Sequence, residues 1–261
     1  MKNLINIVFI LCPPKSGSTL LEILLGTHKD IFSIGERRLD TEICNCGSKV
    51  TDCIFWSEIN SMSKTKNIVN DTNENSDIGN FYELFSLILK HSNKKIILDS
   101  SKNFKFLKKI LKKNDLFSVE IIDLVRNPID LVIIQKKKWL INKKQKGMNF
   151  YKSIFYLYIF WFKKISIIKN ITLVSTYSDI VFDKEKALNK ILVKINLNIF
   201  DKIAVDKKQI HSLGGSGIRE SYEQLKYDKN LHYLNSFEYW ISFILLIPLN
   251  IIQKIYLLVK K

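Results

Sequence analysis

"LINIVFILCPPKSGSTLLEILL", residues 4–25, is the stretch on which the fold turns. Leu4 to Leu11 is short and rich in Ile and Val, which suits a strand buried on both faces of a parallel sheet. A polar turn follows, with Lys15, Gly17 and the hydroxyls of Ser16, Ser18 and Thr19, and Thr19 to Leu25 reads as a helix start. Strand, tight turn and helix aim backbone N–H groups and a helix N-terminus at an anion. The expectation is a phosphate or sulfate cradle.

Two further apolar runs end in the same way. Lys95 to Leu98 runs into "DSSKN", and Val119 to Val125 runs into "RNP". A fourth, Ile171 to Val174, precedes "YSDIV" and a helix through Leu192. Between them Phe81, Leu84, Phe85 and Ile88 make a helical stripe, and Phe104, Leu107 and Leu111 mark another. Strands alternating with helices predict an α/β fold with a central parallel sheet flanked by helices. Ligands in such sheets sit at the carboxyl ends of the strands, so the polar turns converge on one site. Residues 129–169 read as helical, their many aromatics as packing, and Ser63 to Asn80 as an exposed loop. One domain accommodates all 261 residues.

The formal net charge of +16 invites nucleic acid or an acidic membrane as partner. Lysine supplies nearly all of it, since only Arg37, Arg38, Arg126 and Arg219 are arginine among 41 basic residues. No basic stretch is interleaved with aromatics as a stacking platform would be, so a compositional lysine bias is preferred and no nucleic acid is expected. Each scarce arginine then marks a place where a planar fork suits phosphate or carboxylate. The N-terminus has a lysine and an apolar core but no small-residue cleavage site, and is read as the buried strand. Tyr239 to Val259 is long and apolar but interrupted by Pro248, Asn250, Gln253 and Lys254. A terminal helix over about 236–261, packed on the body or lying in a membrane interface, is expected in preference to a span.

The opening turn is not the G-x-x-x-x-G-K-[ST] loop of ATP- and GTP-binding proteins, because Lys15 precedes Gly17. The set "PKSGSTLLEILLGTHKDIFSIGE", "CNCG" with "DCIFW", "LDSSKNFKFL", "LVRNPIDLV", "YSDIV" and "HSLGGSGIRE", in that order, resembles the sulfotransferases that use 3'-phosphoadenosine 5'-phosphosulfate. The cysteine stretch and Gly-rich loop are similar to the bacterial carbohydrate-type and tyrosylprotein-type branch. The resemblance covers residues 4 to about 220 and implies a P-loop-like three-layer fold.

It also implies roles. Lys15, Ser16, Gly17, Ser18, Thr19 and Leu20 resemble the 5'-phosphosulfate loop, with Lys15 catalytic as well. Arg126 resembles the arginine that grips the nucleotide 3'-phosphate, with Ser101, Gly215 and Arg219 as further donor-binding residues. Where the family carries a serine that completes the 3'-phosphate site, this chain has Ile134, for which Ser100, Ser101 or Arg219 are the candidate substitutes. Glu36, in "IGERR", resembles the catalytic glutamate that takes a proton from the acceptor hydroxyl. Lys102 resembles the lysine that reaches the transferring sulfuryl group. Sulfuryl transfer is mostly positioning and stabilisation of charge on the leaving phosphate, and lysines serve it, so no metal is expected in the transfer. Tyr177 and Asp179 are read as structural.

Cys44, Cys46 and Cys53 lack the paired spacing of a zinc site, with His28 the one histidine near them in sequence. They are read as structural, either as a Cys44 or Cys46 to Cys53 disulfide or as free buried thiols, and His211 as a loop-positioning residue. The expectation is a bacterial cytoplasmic enzyme, peripheral to the membrane, that sulfates a saccharide or glycolipid hydroxyl. Two rivals are a small-molecule kinase, which needs ATP and magnesium, and a non-catalytic binder of nucleic acid or anionic lipid.

Overall fold

The computed structural model describes residues 3–36, 43–63, 76–141, 148–199, 211–214 and 236–260. Five strands form one all-parallel sheet in the order β2-β3-β1-β4-β5. They are β1 (Ile5–Leu11), β2 (Ile31–Gly35), β3 (Ile96–Asp99), β4 (Phe117–Val125) and β5 (Ile171–Thr176). β1 is central, and the chain builds the β2-β3 side before crossing to β4 and β5. The loop after β1 therefore lies at the switch point, where an open parallel sheet leaves a crevice.

Side chains alternate along β1 as the strand period requires. Ile5, Ile7, Phe9 and Leu11 enter one core, and Val8, Ile10 and Cys12 the other. The second core is closed by α1 (Ser18–Gly26), with Leu20, Leu21, Leu24 and Leu25 inward. The first is closed by α2 (Ile54–Met62), α3 (Ile78–Ser92), α4 (Phe104–Leu111), α5 (Pro128–Ile141) and α6 (Phe150–Ile165). The stripe Phe81, Leu84, Phe85 and Ile88 is the buried face of α3, with the Phe81 and Phe106 rings 4.6 Å apart. After β5, α7 (Tyr177–Phe182) and α8 (Lys184–Lys194) return to the core shared with α1.

The structure adds one strand and qualifies one reading. β2 was not foreseen, because IFSIG is five residues and reads as a link between helix and loop. Within 129–169 the described residues form α5 and α6, and the aromatics of α6 divide: Phe150, Phe160 and Trp161 are buried while Tyr151, Phe155 and Phe162 face out. The C-terminal helix, α9 (Ser236–Lys260), runs unbroken through Pro248. Leu246, Leu249 and Tyr256 dock it on α5, α6 and β5. Lys136 pairs with Glu238, and Gln253 Nε2 donates to the Arg126 carbonyl at 3.3 Å. Phe237–Lys260 is long and apolar enough to cross a membrane, with mean hydropathy 1.9 and 22% of its most apolar window buried.

Candidate active site

The residues singled out in the sequence gather at the carboxyl edge of the sheet, one strand end after another. After β1 the chain turns through Pro13 and Lys15, with Ser16 N–H donating to the Pro13 carbonyl at 3.3 Å. Gly17 is the N-cap of α1, and no side chain caps that helix and no acid lies in its first turn. The N-terminal N–H groups and positive dipole end are left for an anion. Ser18 and Thr19 are buried beneath the turn, as is Leu20 at the start of α1. The Ser16 hydroxyl is fully buried and has no hydrogen-bond partner among the described residues. A buried hydroxyl without a partner is costly, so this one marks the place of an absent acceptor.

Backbone strain marks the same place. Among the described residues, non-glycine positive φ occurs at Asn93 and Asn196, which tolerate it, and at Lys15 (φ 72) and Lys102 (φ 60), which do not favour it. Both lysines stand at the site, where strain is most often retained for function. Gly17 has φ 98, and a Cβ there would lie 2.4 Å from the Tyr177 ring. The glycine is required by the packing of Tyr177 as well as by the turn itself.

Tyr177 also carries Arg126, whose guanidinium lies 3.9 Å above its ring. Arg126 donates Nη1 to the Lys15 carbonyl at 3.2 Å, and its buried Nε lies 4.0 Å from Asp130 Oδ2, with no hydrogen-bond partner among the described residues. The arginine after β4 thus reaches the turn after β1. The Asp179 reading holds in detail: Thr176 and Asp179 form a reciprocal capping box at the start of α7.

On the other side of β1, Glu36 follows β2 and Lys102 follows β3, and Lys102 Nζ donates to Glu36 Oε1. Burial works to lower the Lys102 pKa, and the Cys12 thiol and the Glu36 carboxylate around it outweigh that to hold the ammonium above the ordinary lysine value. Lys15 has gone the other way, down to about 8, through burial first and then through Lys138 of α5 lying against it. Two ammonium groups pressed together have a use for an anion between them. Lys138 was not foreseen, since nothing in "KKK" separates it from its neighbours.

Ser100 does not stand in for the missing serine. Its hydroxyl donates to Glu22 Oε2 at 2.6 Å, and Ser33 donates to Glu22 Oε1 at 2.7 Å, so the buried Glu22 ties α1 to β2 and β3. Ser101 takes its backbone N–H to Asp99 at 2.8 Å and its hydroxyl faces the Asn103 N–H. Ile134 is half-buried on α5. Arg37, Arg38, Gly215 and Arg219 lie outside the described residues.

Of the two readings of the cysteines the structure shows the unbridged one, with a different histidine beside them. All four are free thiols, and the histidine beside Cys44, Cys46 and Cys53 is His211, while His28 Nε2 contacts the Asn198 carbonyl at 3.0 Å.

A model of the sulfotransferase family matches residues 7–202. Among solved structures, a sulfotransferase domain from the curacin biosynthetic pathway superposes with a TM-score of 0.55 at 16% identity, covering 88% of this chain and 90% of that one. The sulfotransferase domain from the Synechococcus PCC 7002 olefin synthase gives 0.53 at 17% identity, covering 93% and 94%. Among curated proteins no sequence matches.

Proposed function

Since this chain belongs to the sulfotransferase family, we propose that it moves a sulfuryl group from 3'-phosphoadenosine 5'-phosphosulfate to an acceptor hydroxyl on a saccharide or glycolipid. The observation that carries the reading is the meeting of Glu36 and Lys102 close to Lys15, in the turn that holds the Ser16 hydroxyl and opens α1.

The residues fit such a donor. Lys15, Lys138, the Ser16 hydroxyl and the N–H groups at the start of α1 would hold the 5'-phosphosulfate, and the Arg126 guanidinium the 3'-phosphate. The acceptor oxygen forms a bond to sulfur as the bond from sulfur to the phosphate oxygen breaks. The hydroxyl proton passes to Glu36, and negative charge grows on the leaving phosphate, which Lys15 and the α1 N-terminus stabilise. Without donor, Glu36 and Lys102 neutralise each other. An incoming sulfuryl group competes for Lys102 and releases Glu36 to act as base.

A lipid-borne acceptor is supported by the outer face of α9. Phe237, Trp240, Phe243, Ile244 and Ile247 are exposed on it, with Phe155 and Phe162 exposed on α6, against which α9 packs. Isolated exposed apolar residues are ordinary, whereas Phe237, Trp240, Ile244 and Ile247 recur at helical spacing as one stripe along α9, which marks an interaction surface. Gln253 links α9 to Arg126, so an interfacial α9 would hold the site at the level of lipid headgroups.

Thermal stabilisation of the purified chain by adenosine 3',5'-bisphosphate, set against ATP with magnesium and against AMP, tests the donor. Stabilisation by the bisphosphate without metal, lost in Lys15→Ala and Arg126→Ala, is expected. A shift with ATP and magnesium alone would replace the reading with a kinase. Transfer of radiolabel from the donor to a glycolipid extract, against free saccharides, then assigns the acceptor.

A further inference from the structure

Cys44 and Cys46 sit in a tight turn in which Gly47 N–H donates to the Cys44 carbonyl at 2.9 Å and Cys44 N–H to the Ser48 carbonyl at 2.8 Å. Cys53 is the N-cap of α2, where the positive end of the helix favours a thiolate. His211 lies 158 residues after Cys53 in the chain, and its ring stacks on Phe55 at 4.9 Å. Trp56 Nε1 fixes its backbone by donating to the His211 carbonyl at 2.9 Å.

We propose that Cys44, Cys46, Cys53 and His211 form a structural zinc site. The four ligand atoms all lie within 4.8 Å of one another. A tetrahedral ion with zinc–sulfur bonds of about 2.3 Å and a zinc–nitrogen bond of about 2.0 Å places sulfurs about 3.8 Å apart and sulfur and nitrogen about 3.5 Å apart. The observed separations are 3.7 Å for Cys46 to Cys53, 3.8 Å for Cys53 to Cys44, and 3.4 and 3.9 Å from His211 Nδ1 to Cys53 and Cys44. Three soft thiolates with one imidazole, all four from protein and closed on themselves, select zinc in a structural rather than a catalytic role. Backbone N–H groups of Cys46, Ser48 and Trp56 face the sulfurs of Cys44, Cys46 and Cys53, an environment that suits thiolates, and zinc would satisfy the lone pairs that the sulfurs and His211 otherwise turn on one another.

The site staples two distant segments at the edge that carries Glu36. Leu213, two residues after His211, donates its N–H to the Ile34 carbonyl at 3.0 Å and accepts from Glu36 N–H at 2.9 Å. Asn45, between the two cysteines of the turn, donates its backbone N–H to the Ser212 carbonyl at 3.2 Å. Gly35 allows this approach, since a Cβ there would meet the Leu213 carbonyl oxygen at 2.4 Å. Zinc therefore holds the 211–214 segment on β2 and positions Glu36 without touching the reacting atoms. The inference stands whichever donor the anion site takes.

The test is metal analysis of the full chain purified under reducing conditions without chelator, followed by exchange for cobalt(II). Roughly one zinc per chain is expected, with cobalt giving the charge-transfer and ligand-field bands of tetrahedral thiolate coordination. Zinc content should fall in Cys46→Ser and in His211→Ala, and chelation should lower the melting temperature of the native chain until zinc is restored. His211→Cys should retain the metal and shift the cobalt bands toward all-thiolate coordination, a change that a packing role would not produce. Absence of zinc together with a cobalt spectrum lacking thiolate bands overturns the proposal, and the native chain alone decides this if the variants fail to fold. Full zinc retention in both Cys46→Ser and His211→Ala overturns it as well. So does a thiol titration of the unreduced, denatured chain that finds two of the four cysteines bonded to each other.

Discussion

Lys102 Nζ donates to Glu36 Oε1 across the ends of β3 and β2, and both side chains are largely withdrawn from water. The pair sets a sharp expectation for Glu36→Gln. The amide keeps the shape and still accepts from Lys102, but it cannot take a proton. Turnover should fall by about 10²- to 10⁴-fold, the usual worth of a positioned general base, while the stabilisation conferred by adenosine 3',5'-bisphosphate stays within experimental error. Turnover close to that of the native chain would remove Glu36 from the mechanism.

Lys15 gives the site a pH dependence of definite sign. Burial and Lys138 hold it down to about 8 in the folded chain, against an ordinary value of 10.5. Between these values the unfolded chain holds the proton and the folded chain does not, so this group adds stability as pH rises through the window. A bound bisphosphate favours the ammonium, so binding takes up a proton there and affinity falls with rising pH, by up to about tenfold per unit. Calorimetry in buffers of different ionisation enthalpy should show the uptake in the native chain and its loss in Lys15→Met. A bisphosphate affinity that stays level from pH 8 to 10 would refute the assignment.

Gly17→Ala should disable donor binding through Tyr177. The new Cβ would fall 2.4 Å from the ring and would also have to adopt φ 98, costing about 1–2 kcal/mol in backbone strain alone. The ring must move, and Arg126, stacked on it at 3.9 Å, loses its platform. Bisphosphate stabilisation should be lost in the folded variant. The double variant Gly17→Ala, Tyr177→Ala should recover thermal stability relative to Gly17→Ala without recovering the affinity, because the Arg126 platform stays absent.

Much of this was legible from the chain, and the division has physical reasons. β1, its turn and α1 declared themselves because an apolar run of strand length meets a turn rich in hydroxyls, and the strand ends "DSSKN" and "RNP" repeated the pattern. β2 escaped because five residues carry too little periodicity, yet it is the strand that delivers Glu36. Glu22 read as one polar residue in a helix, and only the sheet brings Ser33 and Ser100 onto it. The cysteine cluster was dismissed as a metal site on its spacing. Local spacing is blind to His211, which the edge of β2 draws in from 158 residues after Cys53.

Asp123 and Lys164 form a buried ion pair at 2.8 Å, 1% and 2% exposed, between β4 and α6. Burial pushes the Lys164 ammonium down and Asp123 opposes it; the net shift is downward. The Trp161 and Tyr256 rings lie 3.4 and 4.4 Å from the ammonium, which brings α9 into the same arrangement. Asp123→Asn leaves a buried cation without its counter-charge and should cost about 3–5 kcal/mol in chemical denaturation. Removing both charges in Asp123→Asn, Lys164→Met should restore much of that loss, since the uncompensated charge rather than the missing bond is the larger cost. Equal destabilisation in the single and double variants would show that the pair acts only through its shape.

The outer face of α9 makes the last prediction. Its docking face is narrow, Leu246, Leu249 and Tyr256, and its exposed side carries Phe237, Trp240, Phe243, Ile244 and Ile247. Such a helix binds an interface through apolar area, and the net charge of +16 adds attraction to anionic lipid. The chain should float with vesicles containing phosphatidylserine or phosphatidylglycerol, and less with purely zwitterionic ones. Trp240→Ser with Phe243→Ser should abolish flotation while leaving the melting temperature and bisphosphate binding unchanged, because both side chains are exposed and touch neither the sheet nor Arg126. Turnover on a free saccharide should survive those substitutions, and turnover on a vesicle-borne glycolipid should fall with the flotation. If both turnovers fall together, α9 serves the fold and the lipid-borne acceptor is wrong.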